Sequence, residues 1–304
     1  IFITGAAGYI GGTFCYEALK RGYKVIGLDN FSNSNEKYIN YTKHSFSDKF
    51  IFLEQDLRNN NLHKAKELQN NVDCVFHFAA LKSVPDSERN PELYYENNVE
   101  GTKNLIELMD FLSIRKLIFS SSAAVYGDQK NQPIKETAQL NPKSVYAKTK
   151  KISEELIDEA AKKNNLNAIS LRYFNPLGAH KDKIISDNVE NESGNIMSML
   201  LRVALGMNHY LNIYGDDYQT KDGTGERDYI HIDDLIEGHF KAYKNLSNEI
   251  KHEIYNLGTG ESISVLNLVK VFEKINNLKI AYRISNRRKG DLARCFADSS
   301  KANC

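Results

Sequence analysis

The sequence predicts an α/β fold in which a doubly wound parallel sheet is followed by a smaller C-terminal domain. Two observations carry this prediction. Short apolar runs alternate with stretches of helical periodicity through the first 175 residues, and a parallel sheet with helices on both faces buries such a pattern. After about residue 175 the alternation stops, and segments rich in Gly, Asp and Tyr follow. We therefore predict one domain over residues 1–175 and a second over residues 176–304, interleaved at their edges.

The composition is typical of a globular protein that binds neither nucleic acid nor membrane. The 304 residues are 41% hydrophobic and 26% charged, and the formal net charge is +1. A nearly neutral chain lacks the broad basic surface that nucleic-acid binding requires. No apolar run approaches the ~18 residues of a membrane span. The chain opens directly with a strand, which is not typical of a signal peptide.

The cysteines and histidines show no metal-binding or disulfide pattern. The four cysteines have no paired spacing, which favours a reduced, cytoplasmic compartment. The eight histidines form no close pair of the metal-binding type, so we expect no metal site. Because the chain begins at Ile1 rather than at a methionine, we expect that it has been trimmed.

The first thirty residues have the layout of a dinucleotide-binding Rossmann unit. A short strand at residues 1–4 leads into Gly-x-x-Gly-x-x-Gly at residues 5–11, an apolar helix face follows, and a second strand ends at Asp29. The glycines let backbone N–H groups approach a pyrophosphate at the positive end of the helix. A tight turn without a ligand uses the same glycines, but the acid eighteen residues past Gly11 favours nucleotide binding.

Asp29 predicts which dinucleotide binds. A carboxylate at the end of the second strand accepts hydrogen bonds from the adenosine ribose hydroxyls and repels a 2′-phosphate. NAD is therefore favoured over NADP, and we assign residues 1–175 to an NAD-binding Rossmann domain. The alternative is a polar loop residue without a ligand.

The remaining elements place several polar segments at one edge of the sheet. Asp56, residues 79–82, Ser122 and residues 174–175 all follow predicted strands, and ligands of doubly wound sheets bind beyond the carboxyl ends of the strands. We therefore predict one site there. The predicted strands of this region are residues 50–53, 73–78, 116–119 and 168–173, with helices at 60–69, 91–112 and 146–163; in the second domain we predict a strand at 254–257 and a helix at 265–275.

A serine, a tyrosine and a lysine form the candidate catalytic group. Tyr146 and Lys150 are one turn apart on a predicted helix, and Ser122 follows a buried strand. A cation beside a phenol favours the phenolate and lowers its pKa, which would give a general base near neutral pH. The same Tyr-x-x-x-Lys spacing begins at Tyr16 and at Tyr126, where a packed tyrosine or a turn explains it.

Several segments read together resemble the extended short-chain dehydrogenase/reductase family, and within it the enzymes that epimerise UDP-sugars at C4. The resemblance covers essentially the whole chain, and its most specific parts are the Arg-Tyr-Phe-Asn-Pro and Asp-Gly-Thr-Gly segments. The segments that carry it are residues 4–11, 29–30, 77–82, 94–99, 120–128, 146–150, 171–180, 222–231 and 255–258.

The resemblance implies a reaction and its participants. Tyr146, assisted by Lys150 and Ser122, would take the proton from the sugar 4-hydroxyl, while the C4 hydride passes to NAD and returns to the opposite face of a 4-keto sugar. UDP-galactose and UDP-glucose would be interconverted in this way. The family implies a homodimer built on the helices at 91–112 and 146–163. It also continues past Cys304, so we expect a missing C-terminal end.

The resemblance also carries over ligand-binding residues. Those expected around NAD, besides Ser122, Tyr146 and Lys150, are Gly5, Gly8, Tyr9, Ile10, Gly11, Asp29, Asn30, Asn33, Asp56, Leu57, Phe78, Ala79, Ala80, Lys82, Asn97 and Phe174. Those expected around the UDP-sugar, besides Ser122 and Tyr146, are Asn175, Asn195, Ile196, Asn212, Tyr214, Arg227, Arg288, Asp291 and Cys295. The resemblance thus makes residues 176–304 a UDP-sugar-binding domain.

Cys295 occupies the position that gates the sugar pocket in this family. Members with a bulky tyrosine there are limited to glucose and galactose, and members with a small residue also admit the 2-N-acetyl sugars. We therefore predict that both sugar pairs are accepted. The alternative is that Cys295 is a core residue on a strand.

Two other functions remain open on this scaffold. One is a nucleotide-sugar dehydratase or decarboxylase, although Ala123 and Ala124 stand after Ser122, where the dehydratases carry an acid. The other is a non-catalytic NAD sensor, since a fold does not fix an activity. Retention of Ser122, Tyr146 and Lys150 together favours the enzyme.

Overall fold

Within the described residues, a parallel sheet of seven strands forms the centre of the fold. The structure is a computed structural model that describes residues 1–59, 62–69, 72–163, 165–182, 185–186, 195–247, 249, 251–288 and 291–303. The strands, in chain order, are β1 (Phe2–Thr4), β2 (Val25–Asp29), β3 (Phe50–Glu54), β4 (Val75–His77), β5 (Lys116–Ser122), β6 (Asn167–Tyr173), β7 (Asn175–Leu177), β8 (Leu211–Tyr214), β9 (Glu226–Arg227), β10 (Tyr229–His231), β11 (His252–Leu257), β12 (Ile263–Ser264), β13 (Tyr282–Ser285) and β14 (Arg294–Cys295).

The strand order of the central sheet confirms the predicted fold class. The order is β3-β2-β1-β4-β5-β6-β11, with every neighbouring pair parallel. The chain starts in the middle at β1, adds β2 and β3 on one side, and then crosses to build β4, β5 and β6 on the other. The connections after β1 and β4 therefore diverge and leave a crevice at the carboxyl ends of the strands.

Helices cover both faces of this sheet. One face is closed by α1 and α8 around Phe14, Phe76 and Phe240, and the other by α5 and α6 around Leu105 and Ile157. Each such fully buried side chain contributes about 1.5–3 kcal/mol. The α-helices are α1 (Tyr9–Lys20), α2 (Lys37–Ser45), α3 (Val84–Arg89), α4 (Pro91–Tyr94), α5 (Gly101–Phe111), α6 (Val145–Lys163), α7 (Ile196–Ala204), α8 (Ile232–Asn245), α9 (Val265–Asn276) and α10 (Ser300–Asn303).

Helix α6 carries two of the predicted catalytic residues. It is rich in Ala, Lys and Glu, which are good helix formers. Its outer face is charged, with an ion pair one turn apart between Lys151 and Glu155. Its inner face buries Lys150, Glu154 and Ile157 at intervals of three or four residues. The helical period therefore places the polar side chains of Lys150 and Glu154 on the face of α6 that packs against the sheet.

One prediction about an individual element is wrong, and two others are confirmed with differences in detail. Within the described part of 60–69 the chain forms two 3₁₀ turns, Leu62–Lys64 and Lys66–Gln69, because few apolar residues there have a helical period. The helix predicted at 91–112 consists of α4, a π-helix at Tyr95–Glu100, and α5. The strand predicted at 254–257 belongs to the central sheet, where β11 pairs with β6, and α8 also packs on this sheet.

The second half of the chain forms small sheets beside the carboxyl edge of the large one. Two strands pair as β7–β10, two as β8–β13, and three as β12-β9-β14. Helices α7 and α9 pack around Leu200, Leu211 and Val269 in a separate core. In the part of the chain that the structure describes, no helix has both the length and the apolar character needed to cross a membrane.

Candidate active site

A cavity of about 430 Å³ opens at the carboxyl ends of the central strands. It lies where the connections after β1 and β4 diverge. The predicted cofactor residues that line it are Gly5, Gly8, Tyr9, Ile10, Gly11, Asp29, Asn30, Asn33, Asp56, Leu57, Phe78, Ala79, Ala80, Lys82 and Asn97. The structure therefore brings residues that lie far apart in the sequence together around one cavity.

The glycine segment is packed so closely that side chains do not fit. A Cβ atom at Gly5, where φ is +72°, would lie 2.7 Å from the backbone nitrogen of Ala79. A Cβ atom at Gly11 would lie 2.2 Å from the carbonyl oxygen of Gly5. No side chain caps α1 at Gly8, so the positive end of the helix faces the cavity. These features fit the pyrophosphate of a dinucleotide.

We expect Gly11→Ala to weaken NAD binding by about tenfold or more, which corresponds to about 1.4 kcal/mol. The new methyl group must displace the carbonyl of Gly5 and so distort the turn that approaches the pyrophosphate. Calorimetric titration with NAD measures the change. Gly101→Ala is the matched control, because its Cβ would make an ordinary contact of 3.6 Å with Leu57. Equal NAD affinity in both variants would contradict this role of the glycine turn.

Asp29 holds the end of β2 and the glycine segment in register. Its carboxylate accepts hydrogen bonds from the backbone N–H of Ala7 at 2.9 Å, the N–H of Phe31 at 2.9 Å and the hydroxyl of Ser34 at 2.9 Å. A carboxylate accepts about four hydrogen bonds, so it retains capacity for a ribose hydroxyl. The geometry fits the role predicted for Asp29 in NAD binding.

Asn30 and Asp56 meet at the other end of the cavity. The side-chain amide of Asn30 donates to Asp56 at 2.8 Å. The Arg58 guanidinium, bound to Asp56 at 2.6 Å, holds the pKa of that carboxyl well below its usual range. Asp56 is therefore an ionised acceptor at neutral pH.

Ser122, Tyr146 and Lys150 adjoin the cavity without lining it. Ser122 ends β5, and the other two lie one turn apart on α6. The ammonium of Lys150 donates to the carbonyl oxygen of Ser120 at 2.7 Å, and Ser120 is itself a lining residue. The Ser122 hydroxyl lies near enough to the Tyr146 phenol to favour its ionised form. The predicted catalytic residues thus lie side by side at the edge of the cavity.

The electrostatics of this group differ from the prediction. Burial raises the pKa of Tyr146, and the hydrogen bond with Ser122 opposes that rise. Burial lowers the pKa of Lys150 to about 7, and the carboxylate of Glu154 opposes that shift. The expectation that the Lys150 cation sets the pKa of the phenol is wrong for this structure. Removal from water disfavours the charged form of each group, so the pKa of the phenol rises and that of the ammonium falls.

The residues predicted for the UDP-sugar fall into two groups. Arg227 and Arg288 converge on Asp291, at 3.4 Å and 2.8 Å, and Arg288 stacks on the ring of Tyr214 at 4.7 Å. We call these four residues the arginine cluster. Two guanidinium groups with one carboxylate leave a net positive charge, which suits a diphosphate.

The second group lies on β7, before α7 and on β8. The amide of Asn175 donates to the carbonyl oxygen of Asp228 at 2.9 Å. Asn195 caps α7 at Ile196 and reaches the carbonyl oxygen of Pro176. Asn212 accepts hydrogen bonds from Arg283 at 2.6 Å and from Ser285, so its side-chain oxygen is already engaged.

Cys295 lies next to a residue of the arginine cluster and next to residues that follow Ser122. It pairs in register with Arg227 between β14 and β9, and it packs against a cluster that contains Phe174 and Ala123. Burial raises the pKa of its thiol to about 11. Cys295 is therefore an uncharged, half-buried side chain between the two sets of predicted ligand residues.

Sequence reasoning missed two residues of this region. Asp228 is fully buried and binds backbone N–H groups of Thr259, Gly260 and Ala297. Tyr218 is 6% exposed, and its hydroxyl has no hydrogen-bond partner in the described part of the chain. Both lie in or near the Asp-Gly-Thr-Gly segment, which was the available signal. Ser34, Gln55, Ser83, Tyr94 and Ser120 were likewise missed as lining residues.

Comparisons with known proteins agree with this geometry. The UDP-glucose 4-epimerase of Bacillus subtilis (strain 168) is 42% identical over 303 residues, which are 99% of this chain and 89% of that protein. The UDP-glucose 4-epimerase of Drosophila melanogaster is 41% identical over 313 residues, covering 100% of this chain and 89% of that protein.

Solved structures give the same result. A UDP-glucose-4-epimerase from Stenotrophomonas maltophila, with bound NAD and formylated UDP-arabinopyranose, superimposes with a TM-score of 0.94 at 38% identity, covering 99% of this chain and 90% of that one. A UDP-Glc/GlcNAc 4-epimerase from Campylobacter jejuni superimposes with a TM-score of 0.84 at 33% identity, covering 99% and 91%. The sequence profile of the NAD dependent epimerase/dehydratase family matches residues 1–258. This chain therefore belongs to the NAD dependent epimerase/dehydratase family.

Proposed function

We propose that this protein is a UDP-glucose 4-epimerase, which interconverts UDP-galactose and UDP-glucose. The observation that carries the proposal is the placement of Ser122, Tyr146 and Lys150 beside the dinucleotide cavity. Relatives with this activity match the chain along nearly its whole length. The division into an NAD-binding domain at 1–175 and a UDP-sugar-binding domain at 176–304 is part of the proposal.

The catalytic residues would act on the sugar C4 hydroxyl. Tyr146 takes the proton from that hydroxyl and later gives one back, while the Ser122 hydroxyl hydrogen-bonds the phenol and orients it. Lys150, anchored on the carbonyl of Ser120, provides an ammonium that stabilises the phenolate as it forms. NAD, held by the glycine segment and Asp29, would supply a reversible hydride acceptor for the sugar C4 when bound.

The remaining predicted residues would hold the two ligands. The glycine segment and Asp29 bind the pyrophosphate and ribose of NAD. The arginine cluster binds the diphosphate of the UDP-sugar, because a guanidinium fork matches two phosphate oxygens. Asn175 and Cys295 lie between these sites and would contact the sugar ring.

The rival functions have less support. A dehydratase needs an acid beside the catalytic serine, and Ala123 and Ala124 stand there. A non-catalytic sensor has no need of Tyr146 and Lys150 in this arrangement. The relatives reported above carry the epimerase name rather than either alternative.

A coupled assay tests the proposal. The protein is given UDP-galactose and NAD, and UDP-glucose is followed with UDP-glucose dehydrogenase. We expect UDP-glucose to accumulate at a rate proportional to enzyme. Bound NAD without any turnover would contradict the proposal and favour a sister activity or a sensor.

Cys295 supports a broader sugar specificity. Its half-buried side chain packs against the cluster that contains Phe174 and Ala123 and is smaller than tyrosine, and we infer that a residue of this size admits a 2-N-acetyl group. We expect Cys295→Tyr to lower kcat/KM for UDP-N-acetylgalactosamine about tenfold or more, since filling a pocket excludes the larger substrate. UDP-galactose should be turned over within about threefold of the parent rate. Chromatography of the products measures both, and an equal loss for the two substrates would contradict a gate at this position.

The proposal includes a homodimer. Leu93, Tyr95 and Phe111 are exposed along the helical segment before α6, at 43%, 36% and 67%. Exposed apolar side chains on this helical segment support pairing with a second copy. Light scattering of the purified protein measures the mass, and a monomer at micromolar concentration would contradict the pairing.

A further inference from the structure

Three consecutive serines at the end of β5 face three successive turns of α6. The carbonyl oxygen of Ser120 accepts from the ammonium of Lys150 at 2.7 Å. The hydroxyl of Ser122 lies near the phenol of Tyr146 and opposes the rise of its pKa. The remaining serine, Ser121, donates to a carboxylate of α6 one turn beyond Lys150. Tyr146 and Lys150 therefore belong to a longer series of contacts between β5 and α6.

That third contact is made by Glu154, which belongs to a buried ion pair. Ser121 donates to Glu154 at 2.5 Å, and Arg172 on β6 binds both carboxylate oxygens, at 2.9 Å and 2.7 Å. Glu154 is 4% exposed and Arg172 is 2% exposed. Arg172 also donates to the carbonyl oxygen of Glu136 and stacks on the ring of Tyr126 at 4.7 Å.

Stability alone does not account for this pair. Burying two charges costs several kcal/mol per ion, and apolar residues of similar volume often replace such a pair without loss of stability. What the charges add is geometric specificity, because a bidentate guanidinium–carboxylate contact fixes the orientation of both side chains. Here it fixes the helix turn after Lys150 against β6, which pairs with the strand that supplies Ser120 and Ser122.

We propose that Glu154 and Arg172 are positioning residues for the reaction: they hold α6 against β5 and β6 so that Tyr146, Lys150 and Ser122 stay together. This inference rests on the proposed function, because it assigns the pair to that reaction. Neither side chain lines the cavity, so the pair acts through its neighbours and not on the substrate.

The charges around Lys150 give this role a measurable signature. The carboxylate of Glu154 raises the pKa of Lys150 against the effect of burial, so its removal lets that pKa fall. His77 on β4 also faces Lys150 and stays neutral, because burial lowers its pKa to about 3. The other titratable groups on elements packed against this part of α6 are Tyr94 on α4, Tyr126 after β5, Arg172 and Tyr173 on β6, and His252 on β11.

The test replaces both charges at once. The double variant Glu154→Met with Arg172→Met keeps the volume and leaves no unpaired buried charge, so its melting temperature should stay within about 5 °C of the parent. We expect kcat to fall about tenfold or more and KM for UDP-galactose to change less than about threefold. The alkaline limb of the pH profile should move to lower pH, because the ammonium loses its proton earlier.

A second measurement does not depend on turnover. Carbon-13 NMR of the Lys150 ε-carbon, in protein saturated with NAD, reports its titration directly. The apparent pKa should fall in the double variant. If the parent protein did not turn over UDP-galactose, the proposed function would fail while this titration still tested the link between Glu154 and Lys150.

Two further variants complete the test. Ser170→Ala is the control, because it removes the part-buried hydrogen bond to His252 on β11, at 2.8 Å, and leaves the three serines of β5 unchanged. It should lower the melting temperature and leave kcat and the Lys150 titration unchanged. Ser121→Ala removes the contact to Glu154 and keeps the ion pair. We expect it to lower kcat, as the double variant does. If the double variant does not fold, the kcat of Ser121→Ala tests the proposal. Unchanged kcat and titration in the folded double variant, or unchanged kcat in Ser121→Ala, would overturn the proposal.

Discussion

Replacing Tyr146 by phenylalanine should lower kcat by about 10²–10⁴-fold, the usual contribution of a positioned acid or base. Tyr146 is half-buried, and phenylalanine has the same shape apart from the hydroxyl, so the fold should persist. NAD binding and KM for UDP-galactose should change little, since the lost group acts on the reacting proton. Stopped assays with UDP-galactose, together with calorimetric NAD binding, measure the three quantities.

The control for this variant is a second tyrosine with the same spacing to a lysine. Tyr16 precedes Lys20 by one turn of α1, is 7% exposed, and donates to Asp182 at 3.1 Å. Tyr16→Phe removes a buried phenol at a distance from the catalytic group and should retain kcat within about twofold. Comparable losses in both variants would mean that general packing, and not the Tyr146 hydroxyl, limits the reaction.

Replacing Lys150 by methionine should lower turnover strongly and stabilise the fold. Burial lowers the pKa of Lys150 from 10.5 to about 7, which means that the folded protein binds this proton less tightly than the unfolded chain does. The cost of burying the charge is therefore complete below pH 7. It declines as the pH rises toward 10.5, where both states are neutral. A shift of this size corresponds to a few kcal/mol, roughly 1.4 per unit.

Melting curves of the parent and of Lys150→Met test this sign. We expect the variant to melt at higher temperature below pH 7 and the difference to shrink as the pH approaches 10.5. The hydrogen bond to Ser120 is lost, at about 1 kcal/mol, and this loss limits the gain. We also expect kcat to fall by about 10²-fold or more, because no cation remains to stabilise the phenolate. A variant that melts lower at every pH would show that the ammonium stabilises the fold.

The architecture and the catalytic group could be predicted because their signals are local. The glycine turn, the acid ending β2, and the helical spacing of Tyr146 and Lys150 are each contained within a few residues. Burial in a sheet then requires the carboxyl ends of parallel strands to share an edge. Ser122 could be added because it follows a buried strand, and the structure places it beside the phenol.

Other features depend on contacts between distant parts of the chain. The sequence places β11 in the second half, yet its register with β6 makes it the last strand of the central sheet. The π-helix at Tyr95–Glu100 interrupts a continuous helical pattern. Glu154 and Arg172 read as ordinary polar residues of a helix and a strand, and only packing makes them a buried pair.

By itself, then, the sequence determined the fold class, the NAD preference and the three residues of the proposed proton transfer, because propensity and periodicity act over short stretches of chain. Only the tertiary structure decided how those residues are charged. Burial, which no spacing encodes, raises the pKa of Tyr146 and lowers that of Lys150. The tertiary structure also decided which side chains hold Tyr146 and Lys150 in place. The contacts of Ser121, Glu154 and Arg172 exist only once α6 lies across β5 and β6.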